Sequence, residues 1–229
     1  MSYQFDFSFL ADKWPAFLEG ALLTIRLTVI SIVLGFALGT ACAVARVYGP
    51  AILRRLVGAY VEIIRNTPLL VQIFIVYFGI ASMGVKLTAE TSAIIALVIN
   101  VGAYTTEIMR AGIESIPRTQ IEAGDCLGLR RMQVIAHIVL LPAMERVYPA
   151  LSSQFVLLML ASSIASQISA EELTAIANVV QSDTYRSFEV YIVVAVVYLV
   201  LSLIYRLGFW AIGMALFVRR RRLGTALQQ

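Results

Sequence analysis

Few residues in this sequence could do chemistry, and their spacing suits electrostatic contact better than covalent catalysis. Glu62 and Arg65 stand three apart, as do Glu107 and Arg110. On a helix that spacing puts each opposite-charge pair on one face. Such pairs serve either as ion pairs at a polar boundary or as a gate, and spacing leaves both readings open. Asn66, Thr67, Gln72, Asn100, Tyr104, Ser162 and Ser163 are uncharged polar groups set in apolar stretches. They can line a path for a polar solute or hydrogen-bond a neighbouring helix. Asn100 and Tyr104 are one helical turn apart. The single histidine, His137, and the two cysteines, Cys42 and Cys126, form neither a metal-ligand cluster nor a disulfide framework. No GxxxxGK[ST] phosphate loop, nucleophile elbow or HExxH motif occurs. The expectation is a protein with no catalytic residue, no metal and no cofactor of its own.

A polar patch covers residues 119–142, TQIEAGDCLGLRRMQVIAHIVLLP. Thr119-Gln-Ile-Glu122 matches a T-x-x-E capping box, which predicts a short helix starting at Thr119. Gly128 is a natural helix stop. A second helix is expected over 130–140, with Pro142 ending it or marking entry to the next span. The patch should therefore be two short helices with Gly128 at the corner. A plain connection needs only about 4–6 residues, so a loop over 112–146 points to docking of another protein more than to mere linkage.

These groups must be positioned by apolar helices. Of the 229 residues, 60% are hydrophobic and 14% charged, and the mean hydropathy is +0.85. Soluble domains run to about 45–50% apolar and about 25% charged residues, so the chain reads as an all-α integral membrane protein. A span needs roughly 20 apolar residues. Five segments qualify, at about 21–46, 57–82, 90–111, 147–170 and 189–217, in one transmembrane domain over 1–229. Pro68 should break or kink the second helix. Asp6, Asp12 and Glu19 near the start, with no basic segment before an apolar core, argue against a cleavable signal.

Charge sets the expected orientation. Arg46, Arg54, Arg55, Arg65, Arg110, Arg118, Arg130, Arg131, Arg146 and the tail residues Arg219, Arg220, Arg221 and Arg222 fall on one side. Lys13, Arg26, Lys86 and Arg186 fall on the other, with Arg206 unassigned. The positive-inside rule then predicts a periplasmic N-terminus and a cytoplasmic C-terminus, with the 112–146 loop cytoplasmic. The absence of an internal repeat argues against a self-contained inverted-repeat carrier. Gly35 and Gly39 form a GxxxG that suits packing within the chain or contact with another subunit. The polar segment 171–189 is either a solvated loop or a contact surface.

Glu122-Ala123-Gly124-x3-Gly128, followed by Ile138 and Leu141-Pro142, resembles the EAA loop of bacterial ABC-importer permeases, EAA-x3-G-x9-I-x-LP. Arg65-Asn66-Thr67-Pro68-Leu69-Leu70-Val71-Gln72 is similar to a motif of the polar amino acid permease family within that class. So are the run from Asn100 through Ala103-Tyr104, Glu107 and Arg110 to Gly112-Ile113, and Glu172-Leu173-Thr174. The resemblance implies a type I ABC importer-like fold of five transmembrane helices in the bacterial inner membrane. It implies a coupling helix through which Glu122, Ala123, Gly124, Gly128, Arg130 and Arg131 meet an ATPase. The implied partners are a dimer of ATP-binding subunits carrying ATP and Mg²⁺, a second permease subunit, a periplasmic amino acid-binding protein and membrane lipid, and no nucleic acid.

Capping would explain much of Glu122, and Arg130 and Arg131 suit the anionic inner leaflet as well as an ATPase. Three departures from the family pattern stand out. Gly124 replaces the second Ala, Leu141-Pro142 comes one residue late, and Leu160 and Ala161 occupy the place of a common Lys-Asp pair. The last suggests the less substrate-engaging half of a heterodimer. The late Leu-Pro suggests a bulged second helix or a longer corner. The reading from another class is a self-sufficient channel or ion-coupled carrier whose cytoplasmic loop binds a regulator.

Overall fold

The structure is a computed structural model that describes residues 5–217. The tail arginines Arg219, Arg220, Arg221 and Arg222 lie outside the described residues. Among the described residues all regular structure is helical: α1 (Leu10–Tyr48), α2 (Ala51–Arg65), α3 (Leu69–Ser82), α4 (Ala89–Glu114), α5 (Arg118–Cys126), α6 (Arg131–Ile168), α7 (Leu173–Thr184) and α8 (Ser187–Leu216). Helices α1, α4, α6 and α8 are long and apolar enough to cross a membrane. Taken together, α2 and α3 would make a fifth, broken span.

Proline sets three of the helix starts. Pro50, Pro68 and Pro117 immediately precede α2, α3 and α5, with ψ of 158°, 139° and 136°. The pyrrolidine ring fixes φ, and the missing N–H costs nothing where a helix has no acceptor to offer. This overrides the T-x-x-E box. Helix α5 begins at Arg118, not Thr119, and has no side-chain cap. Thr119 and Glu122 therefore lie inside the helix, and the capping role expected of Glu122 is not taken up. The cap that does form is one helix later, where the Arg130 N–H donates to Gln133 Oε1 at 2.8 Å.

Pro142 does not end a helix. Helix α6 runs through it, and the turns just before it, Val134–Leu140, are π-helical. A proline ring clashes with the carbonyl four residues back, here that of Ile138, and forfeits the hydrogen bond to it. Widening the preceding turns from an i→i+4 to an i→i+5 pattern removes that conflict. It also absorbs one extra residue, the bulge that the late Leu141-Pro142 suggested. Helix α3 has a second π segment at Ile75–Gly79. Helix α6 closes in a 3₁₀ segment, Ser162–Ile168, ended by Ser169 at φ 63°.

The chain forms two compact units. The first comprises residues 5–33, Thr67–Val98 and Val156–Tyr205. One of its cores gathers Phe17, Ala21, Met159, Leu173, Ala177, Val180, Val190 and Val194. Another gathers Leu27, Ile73, Ala93, Ala96, Ala165 and Ile168. The polar segment over 171–189, by sequence either a solvated loop or a contact surface, holds the helix α7, with Leu173, Ala177 and Val180 buried. Glu172 is fully buried at its N-cap. Its carboxylate accepts from the Ala175 N–H at 3.0 Å and the Tyr198 hydroxyl at 2.8 Å, and the Thr24 hydroxyl lies 3.4 Å away. Burial pushes this carboxyl above the usual carboxylate range, against the hydrogen bonds that pull it down. One side chain so joins α1, α7 and α8. A second tie lies nearby in sequence, where Arg186 pairs with Asp6 at 2.7 Å and with the fully buried Glu189 at 3.5 Å.

The second unit comprises Leu34–Asn66, Ile99–Phe155 and residues 206–217. Val57, Val61 and Ala103 form its buried centre, with Cys42, Ala45, Tyr60 and Ile64 packed around them. Gly39 lies so close to α4 that a Cβ there would come 2.5 Å from Thr105 Cβ and 2.7 Å from the Gly102 carbonyl oxygen. The GxxxG therefore serves packing within the chain at this glycine. Gly112 makes a similar approach to α6, where a Cβ would come 2.7 Å from Val147 Cγ1 and 3.1 Å from the Ala143 carbonyl oxygen. Tyr148 donates to the Phe209 carbonyl at 2.5 Å, which ties α6 to α8.

Replacing Glu172 by Leu takes the acceptor from the Ala175 N–H and leaves the Tyr198 hydroxyl with Thr174 alone. It should cost about 1–3 kcal/mol and lower the melting temperature of the detergent-solubilised protein. Val179→Ala, at an exposed position of the same helix, should leave it unchanged. Equal midpoints for the two variants would contradict the role given to Glu172.

Candidate functional site: a bent polar corner and a charge cluster

The corner around Gly128 is built from backbone hydrogen bonds. The Leu129 N–H donates to the Gly124 carbonyl at 3.2 Å and the Gly128 N–H donates to the Asp125 carbonyl at 3.0 Å. Gly128 has φ +74°. This pair of bonds around a left-handed residue is a Schellman motif, which satisfies the last carbonyls of α5 and turns the chain. No atom lies within 4 Å of a Cβ built on Gly128, so the requirement there is conformational and not steric.

Helix α5 touches its own chain along a narrow line. Gly124 is its buried residue and Ile121 is half-buried, whereas Arg118, Thr119, Glu122, Ala123, Asp125 and Cys126 are exposed. Leu127 and Met132, on either side of the corner, are 79% and 71% exposed. A short polar helix with two large apolar side chains at its end presents a surface suited to a protein partner. Arg130 is exposed. Arg131 is otherwise engaged: its guanidinium donates to the Tyr48 carbonyl at 3.2 Å, at the C-terminus of α1, where carbonyls lack intrahelical donors. Arg146 similarly donates to the Ser115 carbonyl at 2.5 Å, bracing the entry to α5.

The predicted Glu107–Arg110 pair forms, with Arg110 Nη2 and Nε at 2.8 and 3.1 Å from Glu107 Oε2. Arg110 also reaches Glu114 at 2.6 Å. Arg46, from the end of α1, pairs with the other oxygen of Glu107. Sequence spacing could not reveal that contact, because 61 residues separate the partners. The predicted Glu62–Arg65 pair is replaced by other contacts. The Arg65 guanidinium lies 5.3 Å from the centre of the Tyr104 ring, a cation–π contact. Glu62 instead accepts from Asn66 Nδ2 at 3.2 Å. Arg65, Tyr104, Glu107, Arg110 and Arg46 thus form one cluster of positive charge around a carboxylate and a ring.

The uncharged polar residues divide between the units. Asn66, Asn100 and Tyr104 belong to the second, and Asn100 is buried. Thr67, Gln72, Ser162 and Ser163 belong to the first. Gln72 Nε2 donates to the Thr67 carbonyl at 3.0 Å and to its hydroxyl at 2.9 Å, bridging the break before α3. The Ser162 and Ser163 hydroxyls donate to the Met159 and Leu160 carbonyls at 2.7 and 2.8 Å. Both serines are thus turned onto their own helix, where α geometry gives way to 3₁₀. Ile73 of α3 packs with Ala165 and Ile168 of that segment, so α3 and the 3₁₀ turns share one core.

An all-helical fold with several apolar spans and an exposed polar corner is the architecture of a membrane transport subunit. The chain belongs to the family described as the binding-protein-dependent transport system inner membrane component, whose model matches residues 31–213. It is 38% identical over 201 residues to a probable glutamine ABC transporter permease protein, GlnM, of Bacillus subtilis (strain 168), covering 88% of this chain and 93% of that one. It is 35% identical over 226 residues to the octopine transport system permease protein OccM of Rhizobium radiobacter, covering 95% and 92%. The solved structure of an amino acid ABC transporter with histidines superimposes with a TM-score of 0.83 at 32% identity, covering 93% of this chain and all of that one. An inward-facing methionine ABC transporter, MetNI, shares the fold at a TM-score of 0.77 and 20% identity.

Removing the Glu107 carboxylate leaves Arg46 and Arg110 facing each other without their bridge. Glu107→Ala should destabilise the solubilised protein by about 2 kcal/mol. Glu114→Ala, at an exposed pair, should cost under about 0.5 kcal/mol. Thermal midpoints measured side by side check the order, and a larger loss at Glu114 would contradict the cluster as described.

Proposed function

We propose that this chain is a pathway-forming permease subunit of an ABC importer that moves a polar amino acid, or a close derivative, across the bacterial inner membrane. The single observation that carries the coupling part of this reading is the exposure of α5 on its Gly128 corner. Its N-terminus is periplasmic and its C-terminus cytoplasmic, so α5 faces the cytoplasm. Two ATP-binding subunits bind ATP and Mg²⁺ and supply the energy, each receiving one α5 helix in a groove. A second permease subunit, identical or related, completes the pathway, and a periplasmic binding protein delivers the solute. The substrate class follows from relatives named for glutamine and for octopine, itself an amino acid derivative.

In this mechanism the chain performs no bond chemistry. Glu122, Ala123 and Arg130 form the docking face. The Arg131 bond to Tyr48 and the Gly112 approach to α6 carry displacement of the corner into α1, α4 and α6. The Arg46–Glu107–Arg110 cluster, with Arg65 on Tyr104, acts as a cytoplasmic ion-pair lock. Asn100, Tyr104, Asn66, Thr67 and Gln72 are the polar groups offered to solute. Leu160 and Ala161 carry no charge, which suits a subunit that contributes less to substrate contact than its partner.

Because Glu122 is exposed and does not cap α5, Glu122→Ala tests docking without disturbing the helix start. In proteoliposomes holding the permease with its cognate ATP-binding chain, Glu122→Ala should lower ATP-driven uptake about tenfold, equivalent to about 1.4 kcal/mol of lost interaction. The melting temperature of the permease alone should not move. Gly128→Val should abolish uptake, because it forces a β-branched residue to φ +74°. Normal uptake by both variants would remove α5 as the coupling element.

A further inference from the structure

Gly124 is the buried residue of α5, and the reason lies in α6. A Cβ built on Gly124 would stand 2.4 Å from Ile138 Cδ1 and 3.3 Å from Val134 Cγ2. Both neighbours belong to the π-helical segment Val134–Leu140. Within that segment Val134, Ile135 and Val139 are buried, while Ala136 and His137 are exposed. A π turn holds one residue more than an α turn between bonded donor and acceptor, so it takes up a single inserted residue without changing which face the flanking turns present. Helix propensity argues against Gly124, since Ala is the better helix former. The glycine leaves room for a side-chain tip: Ile138 Cδ1 is the nearest atom to that Cβ, and a methyl group there would have to push it aside.

We propose that Gly124 and Ile138 of the π segment are a matched pair: the missing Cβ at position 124 receives the Ile138 tip. Together they set how closely α5 lies on α6, and hence where the docking face stands. Gly124 is a positioning residue, acting through α5 and not by touching a partner. This rests on the proposed coupling role only for its effect on transport. The seating of α5 is a property of this chain alone.

The pair makes a size-exchange test possible, because Ile138→Val removes the one atom, Cδ1, that a Cβ at 124 would strike. Amide hydrogen exchange is followed in residues 118–129 of the purified permease without partner. Gly124→Ala should speed exchange there about tenfold by overpacking the contact. Ile138→Val alone should leave it unchanged, and the double variant should return it to the parent value. ATP-driven uptake should follow the same pattern. No change with Gly124→Ala, or no rescue by Ile138→Val, overturns the pairing. Exchange that follows the pattern while uptake ignores it sustains the pairing and removes the coupling role of α5.

Discussion

Lipid tails are as apolar as leucine, so no hydrophobic force pulls one transmembrane helix onto another; close packing must do it. In this protein the packing depends on places where a side chain is missing. Gly39 rests against the backbone of α4, and Gly112 against the backbone of α6. At Gly39 a single methyl group would collide with a main-chain oxygen, which cannot swing aside as a side-chain tip can, and at Gly112 it would strike Val147 Cγ1 and crowd the Ala143 carbonyl oxygen. These contacts bring α1, α4 and α6 near enough for the Arg46–Glu107–Arg110 cluster to form. The charge cluster is thus downstream of the glycines.

A second theme is regular departure from α geometry. Backbone groups packed inside a protein must find partners there, so a helix that meets an obstacle does not simply stop. It changes pitch instead. The π turns at Val134–Leu140 accommodate Pro142, those at Ile75–Gly79 lie within α3, and the 3₁₀ turns at Ser162–Ile168 carry α6 to its left-handed end at Ser169. Two of these three segments coincide with residues the sequence singled out, Ile138 in the family pattern and Ser162–Ser163 among the polar groups. Hydroxyls bonded three residues back are part of the tightened pitch, and each serine spends its one donor there.

What was legible in the sequence was what local rules control. Apolar runs marked the long helices, Pro68 marked the break before α3, and Gly128 marked the corner. The Glu107–Arg110 spacing gave a true pair. Competing local signals were harder: the T-x-x-E box lost to Pro117, whose fixed φ started α5 one residue sooner. Pro142 failed to break α6 because the π turn relieved it. Long-range choices were not readable at all. Arg65 preferred the Tyr104 face to Glu62, and Arg46 found Glu107 across 61 residues. Helix α7 was missed although its signal was present. Glu172 stands at the N-cap, and Leu173, Ile176, Ala177 and Val180 follow at helical spacing.

The two bare side chains at the corner, Leu127 and Met132, matter before any transport takes place. A chain synthesised without something to cover them keeps a greasy knuckle in water, the kind of surface that sticks to other unfinished proteins and attracts quality-control proteases. Supply of the covering partner would then set how much of this protein a cell can keep, independently of how much it makes.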